Sequence, residues 1–471
     1  MPPAHRTVPR PVFHFTPRRN WMNDPNGLVH HRGLWHLYFQ YNPEGPDWGN
    51  MSWGHATSPD LEHWTEHAVA LSHRAGEQIY SGSIVAARDG EGPLTAYYTS
   101  AYDDGHQAQS RAVSHDGGFT WTPAPENPVL DRGSRAFRDP KVIRYDAEGA
   151  ARWIMLAVEA DDRQVLLYAS RDLRSWEFQS SFGPLGGAGV VWECPDLVRL
   201  PLDGHPDDER WVLLLSTNEV GDDTRGEGSS MHYVVGHFDG VAFTPERPRP
   251  TRLDHGRDFY AGVTFDNAPG DEAVMLGWMG NWRYADAFPS TPWRGAMSLP
   301  RRLSLRTVDG VPRLVQQPPG FVRDRLARAT RSTFPGGPDR PGITLSGHSL
   351  LELCWDPAAT GALRLSLHGD TDARVDLQHD SGSLRLTRSG PAAEAVHPGF
   401  PSTSTVPLPD ATPARLLLVL DGPLLEVFVG DGEATVSNLV LLGGGPVTAA
   451  VRTERAAPVT AAVADVAPAT P

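Results

Sequence analysis

Cysteine is nearly absent: Cys194 and Cys354 are the two in 471 residues, far apart in the chain. One distant pair excludes a disulfide framework, and both read as small buried hydrophobes. Basic residues are outnumbered, 42 Lys and Arg against 57 Asp and Glu, for a net charge of −15. That balance excludes non-specific nucleic-acid binding and adhesion to anionic membranes. No apolar run nears the roughly 18 residues of a membrane helix. The first ten residues hold no signal-peptide core. The expectation is a cytoplasmic protein as written, secreted if a signal was removed. The 19 histidines include no HExxH motif and no paired Cys/His spacing. His30-His31 reads as surface, and Gly186–Gly189 as a turn rather than a phosphate loop. No metal and no cofactor is expected.

What the chain holds in quantity is turn formers and indoles: 47 Gly, 43 Pro and 14 Trp. Short β-type runs joined by turns fit that composition. A Ser-x-Asp start with a terminal Trp recurs at Ser58–Trp64, Ser114–Trp121 and Ser170–Trp176, in even steps of 56 residues. His237–Phe243 is a looser copy. An all-strand period near 50 with one aromatic turn per unit predicts a β-propeller. In each turn the Asp should cap backbone N–H groups while the aromatic packs beneath. The pattern fades near residue 305. Residues 306–345 read as a turn-rich linker with one short basic helix, Arg323–Arg331, as a solvated bridge. From 346 to 471, clean short strands predict a β-sandwich, with a fraying Ala/Pro/Val tail from Ala456.

Three acids stand in unusual settings. Asp24 lies in Asn20-Trp-Met-Asn-Asp-Pro-Asn-Gly27, between Asn23 and Asn26. Pro25 predicts extended backbone at Asp24, at a strand end entering a turn. This is either a catalytic carboxylate or an Asx-turn. Asp139 lies in Phe137-Arg-Asp-Pro140, where Arg138 should lower its pKa. Glu193 lies in Val190-Val-Trp-Glu-Cys-Pro195, and apolar neighbours should desolvate it and let it hold a proton. An acid kept charged and another kept protonated suit glycosidic cleavage.

These stretches resemble glycoside hydrolase family 32, the β-fructofuranosidases. The resemblance rests on Trp21-Met-Asn-Asp-Pro-Asn-Gly27, Arg138-Asp-Pro140, Glu193-Cys194 and Trp48-Gly-Asn-Met-Ser-Trp53, with Tyr80-Ser-Gly-Ser83 where the family usually has Phe-Ser-Gly-Ser. It implies a five-bladed β-propeller, 1–305, and a C-terminal β-sandwich, 346–471. It implies Asp24 as nucleophile, Glu193 as acid/base and Asp139 as transition-state stabiliser. Asn23, Gln40, Ser83 and Arg138 would hydrogen-bond the sugar, and Trp21, Trp48, Tyr80 and Trp278 would line its pocket. The implied activity is release of fructose or short oligosaccharides from levan or inulin, with sucrose as a further substrate. Levan fructotransferase is the alternative within the family. A sialidase or a propeller lectin is the alternative outside it.

Overall fold

The computed structural model describes residues 8–87, 92–146, 152–221, 226–338, 342–380, 382–408 and 414–466. Nearly all ordered structure is strand. Five strands, Asn20–His31, Glu77–Val85, Phe137–Tyr145, Val190–Leu202 and Tyr260–Thr264, touch one another in a closed ring. From each, the chain runs outward through antiparallel neighbours. The first hairpin pairs His31 with Leu34 around Arg32-Gly33. Both turn residues take positive φ, 50° and 79°, as a two-residue hairpin on twisted strands requires.

The repeated turns form as their residues dictate. Asp60 accepts the N–H groups of Glu62 and His63, Asp116 those of Phe119 and Thr120, and Asp172 those of Arg174 and Ser175. The looser copy does the same, with Asp239 accepting from Val241 and Ala242. The aromatics pack inward: Trp121 on Tyr38, Trp176 on Tyr97, and Phe243 on Phe182.

All five ring strands share one irregularity. Each carries one residue more than its partner, between Met22 and Pro25, Ile79 and Gly82, Arg138 and Lys141, Glu193 and Asp196, and Tyr260 and Val263. A bulge of this kind bends the strand and re-aims the side chains within it. Below the bulges, Lys141 pairs with Asp196 at 3.1 Å and donates to the Thr264 carbonyl at 2.7 Å, linking three ring strands.

Two six-stranded antiparallel sheets form the C-terminal sandwich, packed over Leu351, Leu365, Leu377, Leu418 and Val427. Buried charge joins it to the propeller. Arg301 binds Asp254 and Glu426, and His14 bridges Asp421 and Glu426 at 2.8 and 2.9 Å.

Several expectations change. The supposed linker, 306–345, is largely built into the two domains. Arg301–Val308 pairs with Val311–Gln317 on the propeller, and Thr330–Pro335 pairs with Pro458–Asp465 in the sandwich. The helix Gly320–Arg328 forms, yet it is docked: Val322 and Leu326 are buried with Phe13 and Leu350. The tail is strand to Asp465 because those ladder bonds hold it; residues 467–471 lie outside the described residues. His31 is buried rather than on the surface. Cys354 is half-buried. Among the described residues no helix is long and apolar enough to cross a membrane.

Candidate active site

The bulges collect the three acids. Asp24 sits inside the strand Asn20–His31, at its bulge, rather than at a strand end or in a turn. Its Oδ2 accepts the Ser81 hydroxyl at 2.7 Å and the Cys194 thiol at 3.6 Å, and its Oδ1 accepts the Asn23 amide at 3.0 Å. The Trp21 indole N–H donates to the Asn23 oxygen at 2.7 Å, which fixes that amide. Burial pushes the Asp24 pKa up; the Ser81, Asn23 and Cys194 donors oppose the rise and the Glu193 charge adds to it. Glycine is required beside the second bulge. A Cβ at Gly82 would collide with the Tyr97 carbonyl oxygen.

Asp139 takes a left-handed φ of 61°, sparsely populated by non-glycine residues. Its N–H donates to Thr99 Oγ1 at 2.9 Å, and its Oδ2 accepts the Cys194 N–H at 2.9 Å. Cys194 therefore touches both aspartates, Asp24 through its thiol and Asp139 through its backbone. The sequence predicted a lowered Asp139 pKa. Instead burial pushes it up to about 7; Arg138 opposes the rise and Glu193 adds to it. The reason is geometric: Arg138 places its fork on Glu193, with Nη2 at 3.2 Å and Nε at 3.3 Å from Oε1.

Glu193 also departs from expectation. Strand alternation sends Trp192 to the opposite face, against Phe182. Glu193 faces the axis with its side chain 21% exposed, among polar groups rather than hydrocarbon. Arg138 holds one oxygen, and the Tyr260 hydroxyl donates to the other. Arg138 Nη1 reaches Gln107 Oε1 at 3.4 Å on the outer side.

The remaining expected contacts divide. Trp21 and Trp278 form an aromatic wall with Trp282, at ring distances of 5.9 Å (Trp21–Trp282) and 5.0 Å (Trp278–Trp282). Trp48 is 47% exposed, with its ring 6.0 Å from that of Tyr80. Gln40 and Ser83 are committed to backbone. The Gln40 amide donates to the Ile79 carbonyl at 3.1 Å. The Ser83 hydroxyl donates to the Pro140 carbonyl at 2.8 Å and accepts the Val142 N–H at 2.9 Å. An apolar cavity behind Trp21 and Trp278, lined by Met22, Trp293, Leu424 and Leu439, holds no carboxylate and lies on the sandwich side.

Sequence reasoning assigned no role to Ser81, Cys194, Thr99, Tyr260 or Trp282. Ser81 and Cys194 lie inside the motifs quoted for the resemblance. Which of them turns inward depends on bulges that one sequence does not display.

Residues 14–318 match the description "Glycosyl hydrolases family 32 N-terminal domain", and residues 327–453 match "Glycosyl hydrolases family 32 C terminal". A levanase of Bacillus subtilis (strain 168) is 36% identical over 460 residues, covering 92% of this chain and 66% of the levanase. The chain thus spans just under two thirds of that relative. An extracellular exo-inulinase of Aspergillus ficuum is 37% identical over 483 residues, covering 91% of this chain and 88% of that one. The crystal structure of exo-inulinase from Aspergillus awamori shares the fold with a TM-score of 0.89 at 32% identity, covering 99% of both chains. With both domains matched in sequence and the fold shared from end to end, the chain belongs to glycosyl hydrolase family 32.

Proposed function

We propose that this glycosidase is a retaining fructan hydrolase, acting on β-2,6 or β-2,1 chains and on sucrose. The observation that carries the reading is the convergence of Asp24, Asp139 and Glu193 from three ring strands, tied together through Cys194. Burial and the Glu193 charge raise the pKa of both Asp24 and Asp139, the latter to about 7. Asp24, its charged form supported by three donors, attacks the anomeric carbon of a terminal fructosyl unit. Glu193, aimed by Arg138 and Tyr260, delivers the proton to the departing oxygen. A covalent fructosyl-enzyme forms; Glu193 then takes a proton from water, which releases fructose with retention. Asp139 stands where it meets ring hydroxyls and the positive charge that develops on the sugar.

Asn23, Trp21, Trp278 and Trp282 line the fructosyl side, with Trp48, Tyr80 and Arg138 at the mouth. Gln40 and Ser83 brace the bulges from behind, through the Gln40 amide nitrogen and the Ser83 hydroxyl. The ring of five bulged strands supports a five-bladed propeller. The strand pairing supports a domain boundary between Gln317 and Thr330. Fructans are polymers met outside cells, and the extracellular name of the exo-inulinase relative fits a secreted role.

Incubation with levan, inulin and sucrose, followed by chromatography of the products, tests the reading. Free fructose is expected. A cyclic difructose product identifies a fructotransferase instead. Bound but unchanged sugars refute an enzyme and identify a lectin.

A further inference from the structure

Three non-glycine residues in the ring bulges take a left-handed φ: Asp139 at 61°, Cys194 at 48° and Ala261 at 53°. Such a backbone is costly for a residue with a Cβ and persists only where its surroundings determine it. All three are held in the same way. Each N–H donates to a side-chain oxygen on the preceding ring strand or on that strand's hairpin partner. Asp139 donates to Thr99 Oγ1 at 2.9 Å, Cys194 to Asp139 Oδ2 at 2.9 Å, and Ala261 to Ser216 Oγ at 3.1 Å. Of the two hydroxyl acceptors, Thr99 is the one that supports an acid.

Thr99 lies in the strand Leu94–Tyr102, opposite the bulge that holds Ser81, since Ile79 pairs with Ser100 and Gly82 with Tyr98. A lone pair of its hydroxyl receives the Asp139 N–H. Its single hydrogen faces Gln109 Oε1 at 3.0 Å and the Ser81 carbonyl at 3.3 Å. The Gln109 amide nitrogen in turn donates to the Phe137 carbonyl at 2.8 Å. One hydroxyl–amide pair thus pins the strand of Asp139 at two points, the Phe137 carbonyl and the Asp139 N–H. Thr99, Gln109 and Phe137 are fully buried, so solvent is not at hand to replace either contact. We infer that Thr99 is a positioning residue for the reaction: its hydroxyl, braced by Gln109, fixes the left-handed turn that aims the Asp139 carboxylate at the sugar. This rests on the role proposed above for Asp139. Thr99 itself touches no reacting atom. Its influence extends past Asp139, whose Oδ2 accepts the Cys194 N–H, while the Cys194 thiol donates to Asp24.

The test is Thr99→Val in the full chain, which keeps the branched shape and removes the oxygen, beside Thr99→Ser, which keeps the oxygen. kcat and KM are measured with a fructo-oligosaccharide and expressed per folded molecule, from near-ultraviolet circular dichroism. Thr99→Val should lower kcat by about 10–100-fold, the cost of a group displaced by about an ångström. KM should move by less than about threefold, and Thr99→Ser should stay within about threefold of wild type in both constants. Asp139→Asn supplies the second measurement, since asparagine tolerates the left-handed backbone. The double variant Thr99→Val/Asp139→Asn should lose less than the two single losses multiplied together, because both act through one carboxylate. Losses that multiply fully, a Thr99→Val enzyme as active as wild type, a Thr99→Ser enzyme as impaired as Thr99→Val, or a Thr99→Val chain that does not fold each overturns the assignment. Asp139→Asn with wild-type turnover refutes instead the role proposed for Asp139. Wild-type protein inert toward the substrate refutes the fructosyl reading itself.

Discussion

Ser81→Ala should move the acidic limb of the activity profile toward higher pH. In the wild type, Ser81 donates to Asp24 Oδ2 at 2.7 Å, the shortest of the three side-chain contacts on that carboxylate. A hydrogen bond to a charged group contributes about 1.5–3 kcal/mol. At about 1.4 kcal/mol per unit, its loss raises the Asp24 pKa by roughly 1–2 units. Asn23 stays in place and the thiol is a weak donor, so the lower half of that range applies. The direction follows from the mechanism. Burial already raises the Asp24 pKa, a lost donor raises it further, and only the ionised form attacks. kcat/KM for a fructo-oligosaccharide, measured from pH 4 to 8, should show the acidic limb displaced by about one unit. Stability gives an independent check. A folded pKa above the unfolded value favours folding below the unfolded pKa, and that contribution is lost as pH rises through the folded pKa. The melting deficit of the variant should therefore be largest near pH 8 and vanish near pH 4. An unmoved limb, or a loss equal at every pH, refutes the role given to Ser81.

Three further outcomes are open to measurement. Glu193→Ala should cut turnover of fructans by about 10²–10⁴-fold while sparing aryl fructosides whose leaving group needs no proton; equal loss on both would deny its acid role. Arg301→Met should cost about 3–5 kcal/mol in denaturant unfolding, since it strands buried Asp254 and Glu426. Burial would raise both acids, but Arg301, together with the Ser437 and Gly256 donors on Asp254 and the His14 and Leu299 donors on Glu426, holds them below the ordinary range. The variant's deficit should thus shrink toward pH 4, where the stranded acids take protons; a pH-independent deficit would point to lost packing on Phe259 instead. His36 is buried and stacked on His55. Burial, with His31 and His67, lowers its pKa to about 4. Its share of stability is full above the unfolded value of about 6.5 and drains as pH falls toward 4. His36→Phe should flatten the fall in melting temperature across that window, and an unaltered slope would contradict this.

The local chemistry of this protein was legible in its sequence. Evenly stepped Ser-x-Asp turns announced a repeating β-architecture, because a short acid can cap only the backbone beside it. Arg32-Gly33 announced its hairpin, because glycine accepts the positive φ that a two-residue turn requires. The three acids were visible by their settings, Asp24 and Asp139 before Pro25 and Pro140, and Glu193 after an apolar run. Their electrostatics were not. Arg138 is next to Asp139 in the chain, yet its guanidinium reaches across to Glu193. Trp192, next to Glu193 in the chain, faces away from it. Nor did the stretch 306–345 show its strands, since their partners are as distant as Pro458–Asp465. Sequence by itself determined the turns and the settings of the three acids, because turn and cap propensities act over a few residues. Tertiary structure alone decided which charges meet, because a one-residue bulge in each of five strands turns the side chains toward a common axis, and pKa values depend on distance through space rather than along the chain.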